Sequence, residues 1–175
     1  MTETMNKMKT IRIEKITLNV GAGKDQMKLK KGMKLLKHIT GVDPVQTITQ
    51  KRIPSWGVRP GLPIGCKLTL RKQPATTLLP KLLDAKSSVL KRSNFDRNGN
   101  ISFGISEYID IPGVEYEPEI GVIGLQVCVT LVRSGFRIKK RRLRKAKIPK
   151  KHQIQQDEAV QFMETKFKVK LGDEE

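Results

Sequence analysis

The chain has 175 residues, 37% hydrophobic and 30% charged, and its 35 Lys and Arg against 17 Asp and Glu leave a net charge of +18. Such an excess disfavours a compact state by self-repulsion, and a polyanion that displaces condensed counterions would relieve it, so nucleic acid is the expected partner and an anionic membrane surface the lesser one. No apolar run approaches the ~20 residues of a spanning helix, and the start MTETMNKMKT lacks the apolar stretch of a signal peptide.

In chain order, KITLNVGAGKD opens with Ile16, Leu18 and Val20 alternating against Thr17 and Asn19, which predicts a strand ended by Gly21 and Gly23. MKLKKGMKLLKHI follows with Leu29, Met33 and Leu36 at helical spacing, widened by Leu35 and Ile39, and Gly41 stops it. VQTIT reads as a second strand. In IGCKLTLR, Ile64, Cys66, Leu68 and Leu70 share one face, while Lys67, Thr69 and Arg71 share the other. TTLLPKLLDAKSSVLK reads as a helix. Because proline is tolerated only in a first turn, Pro80 predicts a start near Thr77. NFDRNGN is turn chemistry, and ISFGISEYI and GLQVCVTLV complete the strands, the latter with Leu125, Val127, Val129 and Leu131 alternating. The order of strands and helices predicts an α+β fold, a mostly antiparallel sheet with helices packed on one side. Cys66 and Cys128, both in apolar alternation, read as small core residues of a reduced, cytosolic chain.

Between the second and third strands lies KRIPSWGVRPGLPIG, which holds the chain's single tryptophan with Pro54, Pro60 and Pro63. Prolines cannot continue a ladder, so this segment is expected to project, pre-stiffened, with Trp56 and Arg59 at its tip and Lys51 and Arg52 at its base. The alternative is Trp56 folded back as a lid on the core. From Arg137 to Lys151, ten of fifteen residues are Lys or Arg and none is acidic, a run expected to be disordered until it meets phosphate. Its low aromatic content argues against base stacking there. Glu107 to Val132 reverses the bias, with five acids and no Lys or Arg. HQIQQDEAVQFMETKFKVKL reads as an amphipathic last helix with Val160, Met163 and Phe167 on its apolar side.

Catalytic readings fail on spacing. A P-loop around GAGK would need glycine at Leu18 and Ser or Thr at Asp25, and a dinucleotide fingerprint would need glycine at Gln26. Two cysteines and two distant histidines, His38 and His152, offer no zinc spacing, and the five acids have no Ca²⁺-loop pattern. No cofactor or metal is expected, and the chain reads as a non-enzyme. The acidic face cannot rest on RNA and suits a basic protein.

The motifs KITLNVGAG, TGVDPVQT, GLPIGCKLTLR, NFDRNGNISFGI and IPGVEYE, in this order from Ile11 to Val132, resemble the universal large-subunit ribosomal protein five family. The basic insertion before the last helix and the short N-terminus resemble its archaeal and eukaryotic branch. The resemblance implies one RNA-binding domain over residues 1–175: a five-stranded core over 11–132, a basic extension over 133–153 and a C-terminal helix over 154–171. It implies a place in the central protuberance of the large subunit, binding 5S rRNA and large-subunit rRNA beside neighbouring large-subunit proteins.

Asn19, Thr69 and Arg71 match family positions that bond the RNA. Thr47 and Lys67, together with Arg137, Lys139, Lys140, Arg141, Arg142 and Arg144, complete the expected rRNA-binding set. The loop Arg52, Ile53, Pro54, Ser55, Trp56, Gly57, Val58 and Arg59 falls where the family reaches P-site tRNA. Asp110, Glu115, Glu117 and Glu119 fall where it bridges to a small-subunit head protein. Val42 stands where bacterial members carry a polar residue, so no RNA contact is carried over to it. The alternative class is a free-standing RNA chaperone or transcript-binding regulator.

Overall fold

Strict alternation makes β1, Ile11–Gly21, the centre of the molecule: Ile16, Leu18 and Val20 are buried, while Thr17 and Asn19 stay half-open on the opposite face. The computed structural model describes residues 6–172. After β1 come α1 (Gln26–Thr40), β2 (Val45–Ile48), β3 (Pro63–Arg71), α2 (Lys72–Asp84) and β4 (Val89–Lys91). β5 (Ile101–Ile105), β6 (Leu125–Arg133), α3 (Gln156–Phe167) and β7 (Lys170–Gly172) complete the order. Five strands form one antiparallel sheet in the order β2-β3-β1-β6-β5, in agreement with the expected α+β class.

One face of that sheet is greasy. Cys66, Leu68 and Leu70 of β3, Val127, Val129 and Leu131 of β6, and Ile101, Phe103 and Ile105 of β5 continue the apolar row of β1 into one core. Leu29, Leu35 and Leu36 of α1, Leu79, Leu82 and Leu83 of α2, and Ala159, Val160 and Met163 of α3 cover it. Each fully buried aliphatic side chain contributes roughly 1.5–3 kcal/mol. All three helices therefore bury their stripes on the same side, which leaves the opposite face of the sheet without a helix.

Local signals set the first helix. Asp25 caps α1 by accepting from the N–H groups of Met27 (2.8 Å) and Lys28 (3.2 Å). Gly41, at φ +71°, closes it with its N–H on the Lys37 carbonyl. Gly32 lets the helix lie close to the sheet, since a Cβ there would stand 3.0 Å from Val20 Cγ1.

Several expectations are corrected. α2 starts at Lys72 rather than near Thr77, so Pro80 sits inside it. Thr76 and Pro80 are both exposed, and the carbonyl left without an N–H partner lies on the solvent side. The helix stops at Asp84, because Ser87 and Ser88 take positive φ and the Ser88 N–H turns back to Leu83 O. Val89–Lys91 is then free to form β4, which pairs in parallel with β7. Both strands read as helix ends in the sequence, and α3 is accordingly Gln156–Phe167 rather than 154–171.

ISFGISEYI is a strand only to Ile105, and Tyr108–Asp110 turns into a short 3-10 segment that buries Tyr108. Cys66 is buried as expected, and burial pushes its thiol up to about 11. Cys128 is exposed: Gln126 and Thr130, two residues either side, share its face.

Candidate nucleic-acid interface

The uncovered face of the sheet is built in cross-strand rows. Asn19 lies between Lys67 and Gln126, and Val45 and Gly104 extend the row to the two edges. The Asn19 Nδ2 group donates to Gln126 Oε1 at 3.0 Å, which fixes both amides. The next row runs Thr69, Thr17, Cys128, Ser102. A third brings Arg71 beside Lys15 and Thr130. Thr47 stands beside Gly65 at the β2 edge and is half-buried.

A shallow cleft of about 390 Å³ crosses this face, lined by Asn19, Gly21, Gly104, Ser106, Gly124 and Gln126 among others. A Cβ at Gly21 or Gly104 would meet nothing within 4 Å, so the floor is open to close approach. The surface therefore offers hydroxyls, amides and cations with bare backbone between them. That chemistry suits phosphate and ribose better than an apolar ligand.

Glu14 enters this cationic surface at the β1 bulge between Ile13 and Lys15. It accepts from Lys140 Nζ, and Arg71 Nη1 lies 3.5 Å away. Burial pushes the Glu14 carboxyl up, but the Lys140 bond and the charges of Lys140, Lys15 and Arg71 outweigh it and hold the group below its ordinary range. Two predicted RNA ligands, Arg71 and Lys140, are thus partly engaged within the protein.

The basic extension does not hang free. The Ala146 N–H donates to Ile138 O at 3.2 Å, closing a loop, and Arg141 Nε bonds Arg144 O at 2.7 Å inside it. Ile148 is buried and Ile138 half-buried, so apolar residues spaced through the run anchor it over the Lys15–Thr130 end of the sheet. The expected disorder is corrected on that ground. Arg137, Lys139, Lys140, Arg141, Arg142 and Arg144 all remain exposed.

The proline-rich segment is a hairpin arm with its own ladder. Thr49 N–H donates to Leu62 O, Gly61 N–H donates to Thr49 O, and Ile53 and Val58 exchange two bonds of 3.0 and 3.1 Å. The expected absence of pairing is corrected, because the prolines stand where no ladder donor is needed: Pro54 opens the 3-10 turn and Pro63 opens β3. Trp56 projects with 67% of its surface exposed, and Arg52, Pro54, Ser55, Gly57 and Arg59 are exposed beside it. Val58, placed among the contact residues by sequence, is instead 3% exposed, and Ile53 is half-buried. Paired directly across the arm, they share its inner face.

The acidic segment splits in two. Glu119 pairs with Lys34, whose bond lowers the carboxyl and raises the amine, and Glu117 lies 3.7 Å from His38 Nδ1. Both partners are on α1, a pairing that the separate readings of helix and loop gave no way to see. Asp110 and Glu115 are exposed and make no ion pair among the described residues.

Sequence reasoning also missed Arg133. Only 6% exposed, its guanidinium donates to Lys9 O (3.0 Å), Gln153 O (3.2 Å) and Glu158 Oε1 (2.6 Å). It ties the N-terminal segment, the end of β6 and the start of α3 together.

Residues 6–59 match the family model described as Ribosomal protein L5, and residues 63–162 match the model of the same family's C-terminus. The chain belongs to the ribosomal protein L5 family. It is 47% identical over 171 residues to the large ribosomal subunit protein uL5 of Sulfurisphaera tokodaii, covering 97% of each chain. The uL5 of Sulfolobus acidocaldarius is 46% identical over 166 residues, covering 95% of this chain and 93% of its own. That of Nanoarchaeum equitans is 44% identical over 165 residues, covering 94% and 97%. A member of this family is a structural constituent of the large ribosomal subunit, not an enzyme.

Proposed function

We propose that this chain is a constituent of the large ribosomal subunit that binds 5S rRNA with the helix-free face of its sheet and helps hold that RNA in the central protuberance. The observation that carries the reading is the composition of that face: the Asn19–Gln126 pair, the Thr69 and Thr17 hydroxyls, and the Lys67, Arg71 and Lys15 cations lie on adjoining rows. Among the described residues, these side chains make no bond to another part of the fold apart from the Glu14 contacts. The extension adds phosphate contacts to large-subunit rRNA at one end of the face. The hairpin arm, with exposed Trp56 flanked by Arg52 and Arg59, suits stacking and phosphate contact on P-site tRNA. Asp110 and Glu115, solvated and unpaired among the described residues, suit a basic head protein of the small subunit better than Glu117 and Glu119 do.

The test replaces Thr69 and Arg71 together with Ala. A neutral bond contributes about 0.5–1.5 kcal/mol and a charged one about 1.5–3, so 5S rRNA binding should weaken by about 2–4.5 kcal/mol. The apolar side of β3 is untouched, and the melting temperature should hold. Undiminished affinity in a folded double variant refutes the assignment.

A further inference from the structure

The extension and the sheet enclose a cavity of about 1030 Å³ that the RNA face alone does not account for. Its rim carries Lys15, Lys139, Lys140, Lys145, Lys147 and Lys150, and its one carboxylate, Glu14, is already bonded to Lys140. Its other lining residues differ in kind: half-buried Phe136, buried Ile148 and exposed Ala146 supply apolar surface, Thr130 a hydroxyl, and Asn98 and Asn100 amide groups whose Nδ2 atoms also donate to Asp96. The Phe136 ring is fixed by an edge-on contact with His152, centroids 5.7 Å apart at 67°. His152 is fixed in turn through Nε2, 2.9 Å from the Ser134 carbonyl. Although the basic run itself lacks aromatics, the fold thus sets a held aromatic ring at its foot.

We infer that this cavity receives one unpaired nucleotide, its base against Phe136 and its phosphate among the rim lysines. The inference rests on the RNA-binding reading above and deepens it. Ligand pockets run to about 300–1,000 Å³, so a whole nucleotide fits. A base has the flat apolar face and polar edge that the wall matches, and single-stranded nucleotides are recognised by this combination of stacking and hydrogen bonding. A duplex keeps its bases stacked and cannot place one there. An acidic peptide would meet the lysines but leave the aromatic wall unused.

The probe is a single-stranded hexaadenylate carrying one 2-aminopurine, titrated into the full chain, with base stacking read as fluorescence quenching. Phe136→Leu keeps apolar packing but removes the ring. It should weaken binding at least about fivefold and abolish the quench, with the cooperative melt kept and only slightly lowered by loss of the His152 contact. Lys145→Ala with Lys147→Ala should keep the quench at saturation while flattening the log–log salt dependence by about 1.4, at about 0.7 per contact. An unchanged quench in Phe136→Leu overturns the proposal, as does equal competition by an RNA duplex or by polyglutamate. The two readings separate cleanly: Thr69→Ala with Arg71→Ala should lose 5S rRNA and keep the hexamer quench. If that variant keeps 5S rRNA while the quench still depends on Phe136, the sheet reading fails and the pocket stands.

Discussion

Glu158→Gln is expected to loosen the point where three parts of the chain meet. The Glu158 carboxylate does two jobs: Oε2 accepts from the Gln155 N–H at 2.9 Å at the start of α3, and Oε1 accepts from Arg133 at 2.6 Å. Burial pushes this carboxyl up, but the Gln155 N–H and the Arg133 bond and charge outweigh it, and the group lies below its ordinary value of 4.5. Breaking a buried ion pair costs about 3–5 kcal/mol when the remaining charge is stranded. Here Arg133 is 6% exposed but keeps the carbonyls of Lys9 and Gln153, while Glu158 is 39% exposed and partly screened. The net cost of the glutamine should therefore be about 1–2 kcal/mol, and of alanine, which also removes the cap, about 2–4 kcal/mol.

At about 2–4 °C per kcal/mol for a chain of this size, Glu158→Gln should lower the melting temperature by about 2–8 °C at pH 7. The pH dependence has a definite sign. A carboxyl whose folded pKa is depressed stabilises fully above its unfolded value of 4.5 and loses that contribution as pH falls through the lower folded value. The gap between wild type and Glu158→Gln should be constant from pH 7 to 5 and close on further acidification. Thermal melts by circular dichroism at half-unit pH steps measure it. A gap that persists unchanged to pH 3, or none at pH 7, would refute the ion-pair argument.

The hairpin arm should separate display from support: Trp56→Ala should leave the melt within about 0.5 kcal/mol, as for surface changes generally. Val58→Ala, which removes two buried methylene equivalents at about 0.8 kcal/mol each, should cost about 1.6 kcal/mol. Equal effects in denaturant melts would show that the arm is not divided into an inner and an outer face. The two thiols should also differ. Cys128 should react with a thiol reagent at pH 8 while Cys66, buried and pushed up to about 11, stays unmodified until unfolding. Bound 5S rRNA should protect Cys128, which lies in the Thr69–Thr17 row; unprotected alkylation of a saturated complex counts against the sheet face as the contact surface.

Alternation and helical spacing made the sheet and α1 legible, because strands half-buried on one face must alternate and an amphipathic helix must repeat its stripe. The same alternation should have placed Cys128: with Val127 and Val129 inward, the residue between them faces out, and residue type misled where period was decisive. Pro80 misplaced the start of α2 because proline disfavours a helix interior without forbidding it, and here the Thr76 carbonyl that loses its N–H partner is on the wet side. β4 and β7 are three-residue strands joined across the chain, too short for any period to declare. Arg133 and Glu158 could not be paired from sequence, since their meeting depends on the extension returning across the end of β6. The cations of the site were visible as composition. Their distribution between open sheet, folded extension and arm emerged only from topology.

That distribution also explains how a chain of net charge +18 stays compact. Arg133 is the one cation buried among the described residues, and it is met by a carboxylate and carbonyls. The others are solvated, where salt screens repulsion beyond about 8 Å. Arg71 and Lys15 nevertheless stand directly opposite each other on neighbouring strands of the open face, where like charges repel. Lys140 of the extension adds a third charge there. Glu14 sits among all three and offsets part of that repulsion within the protein itself. RNA phosphate offers the same cations a stronger and more numerous set of anions. Whatever binds only the folded face stabilises it by mass action. On the proposed reading, a polyanion bound across this face would therefore relieve that repulsion and reinforce the fold.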